Sequence, residues 1–314
     1  MRRGPLGGTG LEVSELGFGA APLGRLPRGG EHRGIDAVHT ALELGITFFD
    51  VSPFYGTTVA ETVLGKALSG VGRSKYVLAT KVGRYGETEF DFSADRVTRS
   101  VHESLDRLRT DHLDLVQCHD VEFGDLDQVV HETVPALRAL QETGLIGAVG
   151  VTGFPLPALA YVVERARVDT VISYCQYTLQ NRRLAEWRAW FARHGTAVVN
   201  ASPLSMGALT NRGAPSWHPA PSDILARCAE AAALCRDRGE ELARVALRFA
   251  VNTGGFASTL VGAADPEEVR RDVRWLTEPV DDDLLREVEK CLGPVRDRSW
   301  PTGRPENQEP GVAA

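Results

Sequence analysis

Short apolar runs alternate along this chain with longer stretches whose apolar residues recur every three or four positions. The runs fall at 16–20, 46–50, 76–81, 113–119, 146–152, 170–176, 196–202 and 257–262. Segments such as YVLATK and TVISYCQ are nearly continuous in apolar and β-branched residues, the pattern of a strand buried on both faces. The stretches between them, among them RGIDAVHTALELG, SADRVTRSVHESLDRLR and PEEVRRDVRWL, carry the 3.6-residue spacing of amphipathic helices. Ser93 and Asp125 stand at N-cap positions, and several helical segments end in Gly. Eight strand–helix units predict a parallel sheet closed into a (β/α)8 barrel. An open doubly wound sheet would open on G-x-G-x-x-G, but after the first run Gly17 and Gly19 are followed by Pro22 where a helix should begin. The Gly-rich start, GPLGGTGLEVS, predicts a short hairpin ahead of the barrel. We expect one barrel domain over residues 1–300 and, over 301–314, a Pro- and charge-rich tail that is mobile.

Composition narrows the function classes. A net charge of −7 without any Lys/Arg block argues against a nucleic-acid or anionic-membrane partner. No apolar run approaches the roughly 18 residues of a membrane span, and the first residues, MRRGPLGGTG, lack the apolar core of an export signal. The expectation is a cytoplasmic protein with a small-molecule partner; oligomeric state is open. Five cysteines without a C-x-x-C predict reduced thiols, with neither a disulfide frame nor a metal site.

In a barrel of this kind, chemistry sits at the carboxyl ends of the strands. Asp50 ends the second run, Lys81 the third and His119 the fourth, and Tyr55 follows just beyond Asp50. Cys118 alternates with His119 and so faces away from it. A phenol has a pKa of about 10. The expectation is that the Lys81 ammonium lowers the pKa of Tyr55, that Asp50 anchors Lys81, and that His119 holds the reacting oxygen. Such a set moves a proton to or from an alcohol or carbonyl oxygen.

Asp50 and Tyr55 in D-x-x-x-x-Y, with Lys81 and His119, resemble the catalytic tetrad of the aldo-keto reductases. The segments FFDVSPFYG, KVGRY, ASPLSMGALT, SWHPA and PVRDRSWPTG extend the likeness to its aldose 1-dehydrogenase branch, over residues 6–303. The resemblance implies a (β/α)8 barrel that binds a nicotinamide cofactor at the strand ends. It further implies oxidation of the anomeric C1 hydroxyl of an aldose such as L-galactose, with Tyr55 as proton acceptor; an NADPH-dependent aldehyde or ketone reductase, or an L-fucose or D-threo-aldose 1-dehydrogenase, is the alternative. It places the pyrophosphate on a loop with Ser202, Leu204 and Gly207, and the carboxamide at Thr152 and Gly153. Either Tyr174 or Gln176 serves the nicotinamide from the sixth barrel strand, and Ala201 stands where an aromatic ring commonly stacks. The adenosine segment includes Gly262, Ala263, Asp265, Arg271 and Asp272. There the Asp265 carboxylate would repel a 2′-phosphate, which favours NAD over NADP. Ala20, Phe54, Asp120, Glu122 and Phe154 adjoin strand ends and are expected to line the sugar pocket.

Overall fold

The computed structural model describes residues 1–309. The first two strands, β1 (Arg3–Pro5) and β2 (Glu12–Ser14), form an antiparallel hairpin. Eight more follow: β3 (Leu16–Gly19), β4 (Phe48–Asp50), β5 (Val77–Val82), β6 (Leu113–Cys118), β7 (Ile146–Gly153), β8 (Thr170–Tyr174), β9 (Ala197–Ala201) and β10 (Thr259–Gly262). These are parallel throughout and close into a barrel in chain order, β10 pairing with both β9 and β3. Each of the eight apolar runs supplies one barrel strand.

The helices behave as their patterns require. Ser93 caps α3 (Ala94–Leu108) by accepting from Arg96 N. Asp125 caps a longer helix that begins as α4 (Leu126–Gln128), loosens to a π turn over Val129–Thr133 and continues as α5 (Val134–Glu142).

Two apolar cores divide the strand residues by parity. Phe48, Val77, Ala79, Leu115, Ala148, Ile172, Val199 and Leu260 fill the barrel interior, and Leu6 and Val13 of the hairpin pack with them. Phe49, Leu78, Val116, Cys118, Val149, Val151, Val171 and Val198 face the helices instead. The hairpin therefore closes one end of the barrel and leaves the carboxyl ends of the strands as the mouth.

Candidate active site

The same parity carries polar side chains to that mouth. Asp50 is two residues beyond inward-facing Phe48, Lys81 two beyond Ala79, and Gln117 and His119 two and four beyond Leu115. Thr152 follows Ala148 in phase, and Tyr174 follows Ile172. An interior that is apolar at its base thus becomes polar at its rim, because period-2 strands keep each side chain on one face.

Lys81 Nζ donates to Asp50 Oδ1 at 2.5 Å, to the Val51 carbonyl at 2.9 Å and to Tyr55 Oη at 3.2 Å. Gln117, unmarked by its place within an apolar run, donates to Asp50 Oδ2 at 3.0 Å and so fixes the other carboxylate oxygen. Lys81 and Asp50 are almost completely buried, at 3% and 4% exposed. Burial works against the Lys81 charge, but Asp50 and Tyr55 outweigh it and hold the ammonium above its usual range. Burial raises Asp50, while Lys81 and Gln117 pull it back.

Tyr55 departs from expectation. Its phenol lies above, not below, its ordinary pKa, because desolvation exceeds the lowering that Lys81 supplies, and Asp50 and Asp120 add to the rise. An ammonium already neutralised by a carboxylate has little field left for a third group.

His119 Nδ1 is 2.9 Å from Ser52 Oγ, which in turn accepts from Phe54 N at 3.1 Å. Nε2 faces Asp120 Oδ2 at 3.6 Å. Burial, aided by Lys81 and Arg84, pushes the imidazole well below its usual pKa, so it is neutral. A hydroxyl on one nitrogen and a carboxylate before the other assign the proton to Nε2. The Tyr55 and His119 rings meet edge-on with their centres 5.6 Å apart, so both line the same part of the mouth.

The surrounding wall uses the expected residues unevenly. Phe54 lies half-buried under the Arg84 guanidinium, at 3.8 Å. Asp120 is ion-paired to Arg84 at 2.5 Å. Ala20 and Phe154 are buried in packing, and Phe154 is wedged between Tyr174 and Trp300 at ring separations of 5.3 and 4.7 Å. Glu122 is fully buried: Oε1 accepts from Phe154 N at 3.0 Å and Tyr174 Oη at 3.2 Å, while Oε2 has no partner among the described residues. Burial, then Asp120, push its carboxyl up to about 8.

The segment expected to be a tail packs here as far as residue 309. Arg304 N and Asn307 Nδ2 donate to the Glu122 carbonyl at 2.9 Å each, and Glu309 accepts from Leu156 N and pairs with Arg183. Residues 310–314 of the expected tail lie outside the described residues.

The β7–β10 side offers backbone more than side chains. Ser202, Ser205, Met206 and Gly207 have φ of +53°, +48°, +47° and +103°, a run of left-handed backbone just past β9. Ser202 N donates to the Leu260 carbonyl at 3.2 Å, Ser205 N to the Ser202 carbonyl at 2.9 Å and Gly207 N to the Leu204 carbonyl at 3.0 Å, so the left-handed residues fold the loop back on itself at the barrel mouth. His218 Nε2 donates to the Ser205 carbonyl at 2.9 Å and braces that loop, a role its sequence context did not announce.

Tyr174, half-buried at the end of β8, reaches the mouth. Gln176, the other candidate on that strand, has its amide engaged by the Phe154 carbonyl and by Asn181 Nδ2, both at 2.9 Å. The Thr152 hydroxyl accepts from Asp120 N at 3.1 Å, and a Cβ on Gly153 would meet Glu122 Oε2 at 2.6 Å.

Past Gly262 and buried Ala263, Asp265 caps α10 (Pro266–Thr277) by accepting from Glu267 N, and it pairs with Arg33. It is not the free repelling carboxylate expected. Arg270 pairs with Glu267 at 2.5 Å, Arg271 with Asp272 at 3.3 Å and Arg274 with Glu278 at 3.2 Å. Asp272 itself is buried and pushed up to about 7 by desolvation.

The model of the "Aldo/keto reductase family" matches residues 15–293. L-galactose dehydrogenase of Arabidopsis thaliana is 43% identical over 96% of this chain and 98% of its own. D-arabinose 1-dehydrogenase of Saccharomyces cerevisiae is 34% identical over 75% of this chain and 74% of its own. The solved structure of an aldo-keto reductase from Bacillus halodurans in its holo form superposes with a TM-score of 0.77, at 27% identity, covering 98% of this chain and 100% of the other. With the family model matching most of its length and a buried Asp–Lys–Tyr chain beside a neutral histidine at the mouth of its barrel, this chain belongs to the aldo/keto reductase family of oxidoreductases.

Proposed function

We propose that this protein oxidises the anomeric C1 hydroxyl of an aldose, L-galactose foremost, to the lactone, with NAD as acceptor. The observation that carries this reading is the hydrogen-bonded line Asp50–Lys81–Tyr55 with the His119 ring edge-on to Tyr55, in a chain 43% identical to an L-galactose dehydrogenase. Tyr55 Oη takes the C1 hydroxyl proton. Lys81, bonded to that oxygen, stabilises the phenolate on which the transfer depends, and Asp50 with Gln117 keeps Lys81 aimed at it. His119 donates Nε2–H to the same substrate oxygen and holds it against the phenol. Ser52 keeps the imidazole in the tautomer that can donate. When bound, the nicotinamide ring accepts the hydride from C1. Carbohydrate oxidised at C1 of its ring form leaves as a lactone without further catalysis.

The Ser202–Gly207 loop would hold the pyrophosphate and Tyr174 the nicotinamide side. NAD is favoured over NADP because Arg33, Arg270 and Arg274 each pair with a carboxylate, which offsets the positive charge that a 2′-phosphate would need. The test is formation of reduced cofactor from NAD or NADP with L-galactose, L-fucose, D-arabinose and D-galactose. NAD-linked oxidation led by L-galactose is expected. Turnover confined to NADPH and simple aldehydes overturns both the substrate and the cofactor.

A further inference from the structure

Arg84 and Asp120 come from neighbouring strand ends and meet next to the reacting atoms. Gly83, at φ +96°, turns the chain past β5 so that Arg84 lies over Phe54, Phe90 and Phe123, at 3.8, 5.3 and 5.4 Å from their ring centres. Phe90 and Phe123 are themselves stacked at 4.8 Å. The planar cation is therefore fixed in orientation by three rings.

Asp120 is fixed more tightly still. Its backbone is left-handed, at φ +50°, and its N–H is held by Thr152 Oγ1. A non-glycine residue in that conformation costs about 1 kcal/mol and is commonly found where function needs a side chain aimed. The conformation directs Asp120 Oδ2 to 3.6 Å from His119 Nε2, the nitrogen assigned above to the substrate oxygen, and to 2.5 Å from Arg84 Nη1. Arg84 spends Nε on the Gly86 carbonyl at 3.4 Å, leaving Nη2 without a partner among the described residues. The proton-transfer line through Lys81 does not use this ion pair.

We propose that Asp120 and Arg84 are the specificity pair of this enzyme and read the hydroxyl on the carbon adjacent to the reacting carbon. A carboxylate and a guanidinium side by side match the donor and acceptor faces of one hydroxyl. Because Asp120 lies one contact from the nitrogen that binds the C1 oxygen, the group within its reach is the C2 hydroxyl of an aldose. Phe54 supplies an apolar face beneath it. The substrate class is thereby narrowed to 2-hydroxy aldoses. A substrate without that hydroxyl leaves a buried charge pair facing nothing, and sites built around a hydrogen bond reject such analogues strongly.

This inference rests on the proposed aldose oxidation but is tested separately from it. Wild-type enzyme is assayed with D-arabinose and its 2-deoxy counterpart, L-galactose and 2-deoxy-L-galactose and, in the reducing direction, glyceraldehyde and 3-hydroxypropanal. We expect kcat/KM to favour the 2-hydroxy member of each pair by about 100-fold. That preference should fall to within about threefold in both Asp120→Asn and Arg84→Gln. Equal use of both members by wild-type enzyme overturns the inference without any variant having to fold. A preference that survives intact in the two variants overturns it as well. If no aldose is oxidised, the proposed function fails instead, and the glyceraldehyde pair still decides whether the adjacent hydroxyl is read.

Discussion

The two halves of the barrel mouth solve their tasks by different means. On the β4–β6 side, chemistry is done by side chains at strand ends, tied into one line by short hydrogen bonds: Gln117 to Asp50, Asp50 to Lys81, Lys81 to Tyr55. On the β7–β10 side, where we propose that the cofactor binds, the surface is shaped by the left-handed loop at Ser202, Ser205, Met206 and Gly207 and by Arg–carboxylate pairs around α10. Proton transfer needs a group of particular acidity at one point, which only a side chain supplies. Binding a dinucleotide spreads many moderate contacts over a long ligand, so it depends on the shape of the loops rather than on one group's acidity.

If that division holds, damage to the first half should appear in turnover and damage to the second in cofactor affinity. The largest effect is expected for Tyr55→Phe: kcat/KM falls by about 10³-fold, while the dissociation constant for NAD, read by fluorescence titration, stays within about threefold. Turnover within tenfold of wild type would refute the role given to Tyr55.

Lys81→Met should cost about 3–5 kcal/mol in urea unfolding, because Asp50 is left as an unpaired buried charge. The double variant Asp50→Asn/Lys81→Met should recover most of that stability and none of the activity. A single variant as stable as wild type would mean that the pair contributes nothing to the fold.

Glu122 gives a third comparison, between a carboxyl and its neutral isostere. Burial, then Asp120, raise its carboxyl from the ordinary 4.5 to about 8. Stability contributed by the protonated form is complete below pH 4.5 and is lost as pH rises toward 8. Glu122→Gln should remove this slope, so that its advantage over wild type grows by several kcal/mol between pH 4.5 and pH 8. Parallel unfolding curves at the two pH values would show that Glu122 is ionised in the folded protein.

The smallest effect is expected at the loop. Gly207→Ala forces a side chain into φ +103° and should weaken NAD binding about tenfold. Turnover at saturating NAD should change by less than threefold. A turnover defect with affinity unchanged would erase the distinction between the two halves.

A pH profile sharpens the same contrast. Tyr55 must lose its proton to accept another, and burial holds its pKa above the ordinary 10. Oxidation should therefore accelerate as pH rises through the alkaline range. Reduction, which begins from the phenol, should slow over that range. Steady-state rates in both directions from pH 6 to pH 11 check this.

What was legible in the sequence follows the same line. The eight strands and the tetrad could be read because side-chain direction along a strand is a local property. Once the runs containing Phe48, Ala79 and Leu115 are strands, Asp50, Lys81 and His119 face one way. The loop at Ser202–Gly207 was recognised only by resemblance, since nothing in the identities of Ser205 and Met206 demands a positive φ. Gln117 was overlooked because a glutamine in an apolar run carries no mark of its partner. The lowered pKa expected of Tyr55 is not found, because desolvation, which a nearby cation in the sequence does not reveal, outweighs that cation.

By itself the sequence determined the barrel, the direction in which each strand presents its residues, and so the chemical groups gathered at the mouth, because strand periodicity and helix amphipathicity are set within a few residues. Only the tertiary structure decided which of those groups are already occupied. Gln176 is taken by Asn181 and the Phe154 carbonyl, Asp265 by Arg33 and the α10 cap, and Arg84 by Asp120, 36 positions away. The segment through residue 309 is likewise held by Glu122, Leu156 and Arg183. Hydrogen bonds and ion pairs of this kind depend on distance in space, and closing the barrel is what sets those distances.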